Sequence, residues 1–212
     1  MALTYAYVDA VVVVDHMPDR QALLKFLANA DKAIPAADRK ITLVGAGDTA
    51  LALLELKPPT VHLDFTGPDS DDLVAFERAC TTNTNTAATT ATTTTAAGAG
   101  AAIPPPNGFQ VHIWNGGKVF GQQLPDDYIK ASMQVSAGLL NRIDLRALHP
   151  LDIVATKIEK LAESDMRDIK ACIRQFKLGK NQISKRARAL QSVGDEAKFE
   201  RNLEHVLRLY YA

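Results

Sequence analysis

Three short runs bring together side chains that could do chemistry. In TVHLDF, residues 60–65, strand alternation puts Thr60, His62 and Asp64 on one face and Val61, Leu63 and Phe65 on the other. In FQVHIW, residues 109–114, Gln110, His112 and Trp114 share a face opposite Phe109, Val111 and Ile113. GAGD, residues 45–48, is a tight turn by composition. A polar strand edge reading His-x-Asp, backed by apolar residues, fits a catalytic acidic pair with one member changed. It also fits an ordinary half-buried strand whose histidine is hydrogen-bonded.

These runs need elements to position them. ITLV (Ile41–Val44) reads as a buried strand leading into GAGD, and TALALLEL as a helix that ends before Pro58-Pro59. VHLDF is the next strand. GPDSDDLVAFERAC opens with Asp and Ser capping candidates and continues as a helix. Upstream, Leu23, Leu24, Phe26, Leu27 and Ala30 recur at helical spacing, and AVVVV (Ala10–Val14) suits a buried strand. Between the second helix-strand unit and FQVHIW lies a tract, Thr81–Gly108, that lacks charge and almost all large side chains. Such a composition buries too little apolar surface to offset ordering, so a flexible surface insertion is expected. After FQVHIW, NGG followed by KVFG suggests a hairpin, LPDDYIKAS a short helix and RIDLRAL a last strand. From Pro150 onward the pattern is helical. The expected fold class is α/β (α+β): a small mixed β-sheet with flanking helices over residues 1–148, then a helical region over 149–212.

Composition narrows the function classes. A chain of 212 residues suits one domain, or a domain with an appendage, and can bury a real core. Lysine plus arginine equal aspartate plus glutamate at 24 each, so no net field recruits nucleic acid or an anionic membrane. Cys80 and Cys172 are the only cysteines and form no C-x-x-C, which points away from a disulfide framework or a cysteine zinc site. A reducing, cytoplasmic setting is the expectation. No apolar run reaches membrane-span length and no basic n-region opens the chain. There is no G-x-S-x-G, no P-loop and no full G-x-G-x-x-G.

Taken in order, GAGDTALALLEL, TVHLDF and FQVHIW resemble the nucleotidyltransferase fold of the minimal and AbiEii-toxin-like families. That pattern has a glycine turn opening a helix, an Asp-x-Asp on the next strand and a third Asp on a later one. LHPLDIVATKIEKLAESDMRDIKACI (148–173) looks like the family's C-terminal helix pair, with Lys157 and Asp168 at its Lys and Asp positions. The resemblance spans roughly residues 38–177.

It implies that turn amides at Gly45, Gly47 and Thr49 hold the phosphates of a nucleoside triphosphate, since free N–H groups at a helix start attract anions. It implies that carboxylates hold Mg²⁺, which favours oxygen ligands, for transfer of a nucleotide to an RNA or protein acceptor, in the manner of a toxin–antitoxin component. Asp64 matches the second acid and is the implied catalytic carboxylate, and Lys157 lies near the nucleotide. A solvated helix position is the other reading of Lys157.

The chain departs from the pattern at three places. His62 stands for the first acid and His112 for the third, and Asp48 stands where a glycine or serine is usual. Asp48 would repel a triphosphate, whereas as an N-cap it is ordinary. If His62, Asp64 and His112 converge, imidazole has replaced two oxygen ligands, a change that suits Zn²⁺ or Mn²⁺ better than Mg²⁺. Three accounts stay open. The first is a scaffold without catalysis that binds a protein partner or forms a homo-oligomer. The second is a transition-metal site at His62, Asp64 and His112. The third is nucleotide transfer by Asp64 alone.

Of the remaining features, Lys185, Arg186 and Arg188 suit a solvated helix face better than a nucleic-acid patch, because aromatics are absent from that run. Trp114 suits core packing or base stacking. His16, His149 and His205 have no carboxylate or cysteine at ligand spacing and receive no role. Tyr210 and Tyr211 are expected to pack the last helix onto the domain.

Overall fold

A computed structural model describes residues 19–82, 109–135, 140–192 and 194–211. The strand expected at Ala10–Val14, residues 83–108 of the Thr/Ala-rich tract and His16 lie outside these residues.

Helix α1 (Arg20–Ala33) starts where the Asp19 side chain accepts the Ala22 amide, and it buries Leu23, Phe26, Leu27 and Ala30. This is the expected apolar stripe, and each large side chain in it contributes about 1.5–3 kcal/mol on burial. Strand β1 (Ile41–Gly45) is the middle strand of a five-stranded mixed sheet, and its buried pattern runs almost unbroken. Helix α2 (Gly47–Leu53) follows at once. Strand β2 (His62–Gly67) pairs antiparallel with β1, and helix α3 (Ser70–Thr82) returns the chain across the sheet. Phe65 meets Phe76 of α3 at 5.3 Å between ring centroids, which fixes the apolar face of β2.

Strand β3 (Gln110–Asn115) runs parallel to β2 at the sheet edge. Two short strands, β4 (Lys118–Val119) and β5 (Gln122–Gln123), then form a hairpin, and a single helical turn, α4 (Tyr128–Ala131), follows. Strand β6 (Met133–Gln134) and strand β7 (Ile143–Ala147) complete the main sheet in the order β3-β2-β1-β7-β6. The helical part comprises α5 (Pro150–Ile158), α6 (Glu163–Phe176), α7 (Lys180–Ala189) and α8 (Glu196–Tyr211). Helix α5 packs against α2, α6, α7 and α8 and so ties the helical part to the sheet. The architecture is the expected mixed α+β one.

Several local expectations change. The glycine turn is shorter than expected, because Gly47 and Asp48 already belong to α2. Ala46 is the N-cap residue of that helix, so Asp48 is not a cap. Val61 precedes β2 and is exposed instead of sharing the apolar face. Helix α3 continues through Thr81 and Thr82, two residues into the Thr-rich tract, with the Thr81 hydroxyl donating to the Arg78 carbonyl at 2.7 Å. The hairpin forms between β4 and β5, not between β3 and β4, since Gly116 and Gly117 turn the chain out of the main sheet. A further strand, β8 (Gln191–Ser192), pairs with β5 where only helix was expected.

The close of the chain behaves as expected. The Tyr210 hydroxyl donates to the Met166 carbonyl at 3.0 Å, and the Tyr211 hydroxyl donates to the Leu178 carbonyl. Among the described residues, no helix is long and apolar enough to cross a membrane.

Candidate functional site

The parallel register of β2 and β3 sets Asp64 beside His112 and Thr66 beside Trp114. Both strands alternate, so Asp64, His112 and Trp114 stand on the face away from Phe65 and α3. The indole Nε1–H of Trp114 donates to Asp64 Oδ1 at 2.9 Å, and His112 Nδ1 lies 3.3 Å from the same oxygen. His62, exposed at the start of β2, packs its ring on that of His112 at 5.4 Å. The structure therefore brings His62, Asp64 and His112 together.

Among the described residues, no three His, Cys, Asp or Glu side chains are placed to hold an ion. One oxygen of the only carboxylate in the trio is already engaged by an indole and faced by an imidazole nitrogen, which is the geometry of a hydrogen-bonded group. Trp114 is half-buried, holding Asp64 through its nitrogen while its ring packs edge-on to Phe120 at 5.3 Å.

The glycine turn has a packing explanation. A Cβ on Gly45 would lie 2.7 Å from Leu53 Cδ1. Gly47 adopts φ +51°, and a Cβ there would meet the Phe120 ring at 2.7 Å. The Thr49 hydroxyl accepts the backbone N–H of Asp64 at 2.8 Å in a fully buried position, so it joins α2 to β2.

Asp48 and Lys157 meet in a charged cluster. Lys157 Nζ lies 3.1 Å from Asp48 Oδ1, 3.2 Å from Asp165 Oδ1 and 2.8 Å from Asp168 Oδ2. Lys57 Nζ reaches Asp48 Oδ1 at 2.9 Å and Asp168 Oδ2 at 3.1 Å. Burial opposes the Lys157 charge, but Asp168 and Asp48 outweigh it and hold the ammonium protonated well above the ordinary lysine range. Burial likewise pushes the Asp48 carboxyl up, and Lys57 and Lys157 more than reverse this, leaving it below the usual carboxylate range. Lys157 is thus neither a solvated helix residue nor a spare cation.

A cleft of about 300 Å³ opens over these groups, with Asp48, Asp64, His62, Phe120, Gln122 and Lys157 in its lining. Of the residues expected to bind, Gly47, His62, Asp64 and Lys157 line it, while Gly45 and Thr49 are buried behind it. Lys57, Asp165, Phe120 and Gln122 complete the region without a motif to announce them. Only the Asp165–Asp168 spacing, which places both acids on one helix face, hints at the cluster.

The basic run on α7 is largely consumed by ion pairs. Arg186 grips the buried Asp152 through Nε and Nη2 at 2.5 and 2.9 Å and reaches Asp127 at 2.5 Å. Arg188 pairs with Glu200 at 3.0 Å. A solvated face therefore describes Lys185 but not Arg186. His149 acquires a role: its Nδ1 accepts the Leu151 amide at 3.1 Å and caps α5, the helix that carries Lys157.

No family model matches this chain, and neither a curated protein nor a solved structure resembles it significantly.

Proposed function

We propose that the chain is a nucleotidyltransferase-like protein that uses its cleft for binding and not for metal-assisted nucleotide transfer. One observation carries this reading. Asp64, the single acid left at the expected metal positions, is hydrogen-bonded by Trp114 and faced by His112. Support comes from the helix start, where the Asp48 carboxylate, paired with Lys57 and Lys157, would repel a phosphate. Metal-assisted phosphoryl chemistry needs cations aimed at developing negative charge. Both cluster lysines are spent on three aspartates.

The test is incorporation of label from each α-labelled nucleoside triphosphate with Mg²⁺ or Mn²⁺, into the protein and into added RNA. The expected result is the same background for wild type and Asp64→Ala. Label that depends on Asp64 would overturn the proposal.

A further inference from the structure

Asp64 is 8% exposed, and what surface it keeps belongs to a residue that lines the cleft. Its contacts fall on one oxygen. Oδ1 accepts the Trp114 indole N–H at 2.9 Å and lies 3.3 Å from His112 Nδ1. Oδ2 has no hydrogen-bond partner among the described residues, and it is not sealed from solvent as Gln122 Oε1 is. Among the described residues, no lysine or arginine pairs with this carboxylate, and its neighbour His112 is charged only when protonated. A carboxylate so far withdrawn from water is costly without an opposing charge. A bound cation at the open oxygen lowers that cost.

Asp48 stands close by. The Asp64 carbonyl accepts the Ala46 amide at 2.9 Å, and the Asp64 amide donates to Thr49 Oγ1 at 2.8 Å, so β2 is tied to the start of α2 on both sides of Asp48. Lys57 and Lys157 both sit on Asp48 Oδ1, and its Oδ2 likewise has no hydrogen-bond partner among the described residues. The cleft lining thus sets Asp48, Asp64 and Asp165 against Lys157 and Lys160. Lys157 is already shared among three aspartates, and Lys160 is exposed. The balance favours a positive ligand over a neutral or anionic one.

The walls decide which cation fits. His62 precedes Asp64 by two residues on β2, and Phe120 packs edge-on to Trp114, the donor to Asp64. Both rings line the cleft. An ammonium is compact and strongly hydrated, so flat surfaces add little to its binding. A guanidinium is planar and weakly hydrated, and it joins forked donation to a carboxylate with stacking on a ring. A bare divalent ion is a poorer match, because it needs about six oxygen ligands and makes no use of ring walls.

We infer that the cleft binds a guanidinium group, which donates to Asp64 Oδ2 and lies against the rings of His62 and Phe120. This rests on the binding reading proposed above and names its ligand class. A free guanidino compound and the arginine side chain of a peptide share that chemistry.

The test is calorimetric titration of the intact protein with Nα-acetyl-argininamide and with agmatine. Each is set beside its urea analogue, which is neutral at the same shape, and its amine analogue. ATP with Mg²⁺ is titrated alongside. The expected result is that one or both guanidino compounds bind on the order of tenfold more tightly than their urea analogues, the usual effect of a charge-assisted hydrogen bond to a buried partner. The amine analogues are expected to bind more weakly than the guanidino compounds. Binding of the capped arginine identifies a peptide side chain as ligand, and binding of agmatine alone a free small molecule. In Asp64→Asn, which keeps an oxygen for Trp114, the preference over urea should collapse towards unity, with thermal melting used to check the fold. If that variant does not fold, the matched ligands in the wild type still decide. Equal binding of guanidino, urea and amine compounds, no binding of either guanidino compound, or a preference that survives in Asp64→Asn overturns the inference while leaving the absence of transfer standing. Tight, Mg²⁺-dependent ATP binding would overturn the underlying reading itself.

Discussion

Asp64 takes the Trp114 indole N–H and faces His112 because the parallel pairing of β2 with β3 leaves those side chains side by side. Asp64 is buried, at 8% exposure, so its hydrogen bond is worth more than a surface contact. Trp114→Phe keeps a ring against Phe120 and removes the donor. It is expected to lower stability by about 1.5–3 kcal/mol, read as a shift in urea midpoint. An unchanged midpoint would mean that Asp64 finds another donor.

Gly47 makes a comparable test. Its φ of +51° and the 2.7 Å approach of the Phe120 ring both exclude a Cβ. Gly47→Ala should cost roughly 1–3 kcal/mol by thermal or urea unfolding. A glycine kept for phosphate contact alone would cost little.

His149 supplies a pH dependence. Burial and Arg186 lower its pKa, and Asp152 only partly offsets them. Its cap on α5 also needs an unprotonated Nδ1. The unfolded chain then takes up a proton more readily than the folded one. The His149 contribution is therefore fully present above its ordinary value of about 6.5 and is lost as pH falls through the depressed folded value. Urea midpoints measured from pH 7.5 down to 5 should fall more steeply for the wild type than for His149→Asn, which can cap without titrating in that range. Parallel curves would contradict the assignment.

At the scale of elements, the Lys157 cluster pins α2, α5 and α6 to one another through side chains that are mostly withdrawn from water. Lys157→Met leaves Asp48 and Asp168 to Lys57 alone and takes away the lysine that pairs with Asp165, and it should cost about 3–5 kcal/mol in unfolding free energy. A loss under 1 kcal/mol would place the cluster in a solvated, weakly coupled setting. A second clamp joins α1 to β7. Asp31, 3% exposed, accepts the amides of Asn141, Arg142 and Ile143 at 2.8–3.0 Å, so Asp31→Ala should destabilise by roughly 3 kcal/mol or more.

How far these elements were legible depends on the kind of signal. Period-2 alternation of polar with apolar side chains in 109–114 and 62–65 is strong, so β2, β3 and the convergence of Asp64 with His112 are legible in the sequence. The apolar spacing of α1 and the strand at RIDLRAL were equally plain. The ends of α2 were not, because Gly47 looks like a turn residue yet tolerates a helix start through its positive φ. Two-residue strands such as β5 and β8 leave no periodicity, so no pattern marks Gln122. The partners of Asp31, and the Asp168 partner of Lys57, lie far away in sequence, and only the fold pairs them.

For the whole molecule, the cleft forms where the start of α2, strand β2, the β4–β5 turn and the α5–α6 pair come together. Its position is the one the glycine turn and the His-x-Asp strand imply, but its charge is different. Carboxylates outnumber ammonium groups in the lining, and Lys157 is surrounded by acids. On the reading proposed above, this site does not operate through a metal–triphosphate complex. The most direct measurement is calorimetric titration of the wild type and Asp64→Ala with ATP, GTP, CTP and UTP, each with Mg²⁺ and then Mn²⁺. No triphosphate is expected to bind with micromolar affinity in a metal-dependent way. Micromolar binding that requires the metal and disappears in Asp64→Ala would contradict it.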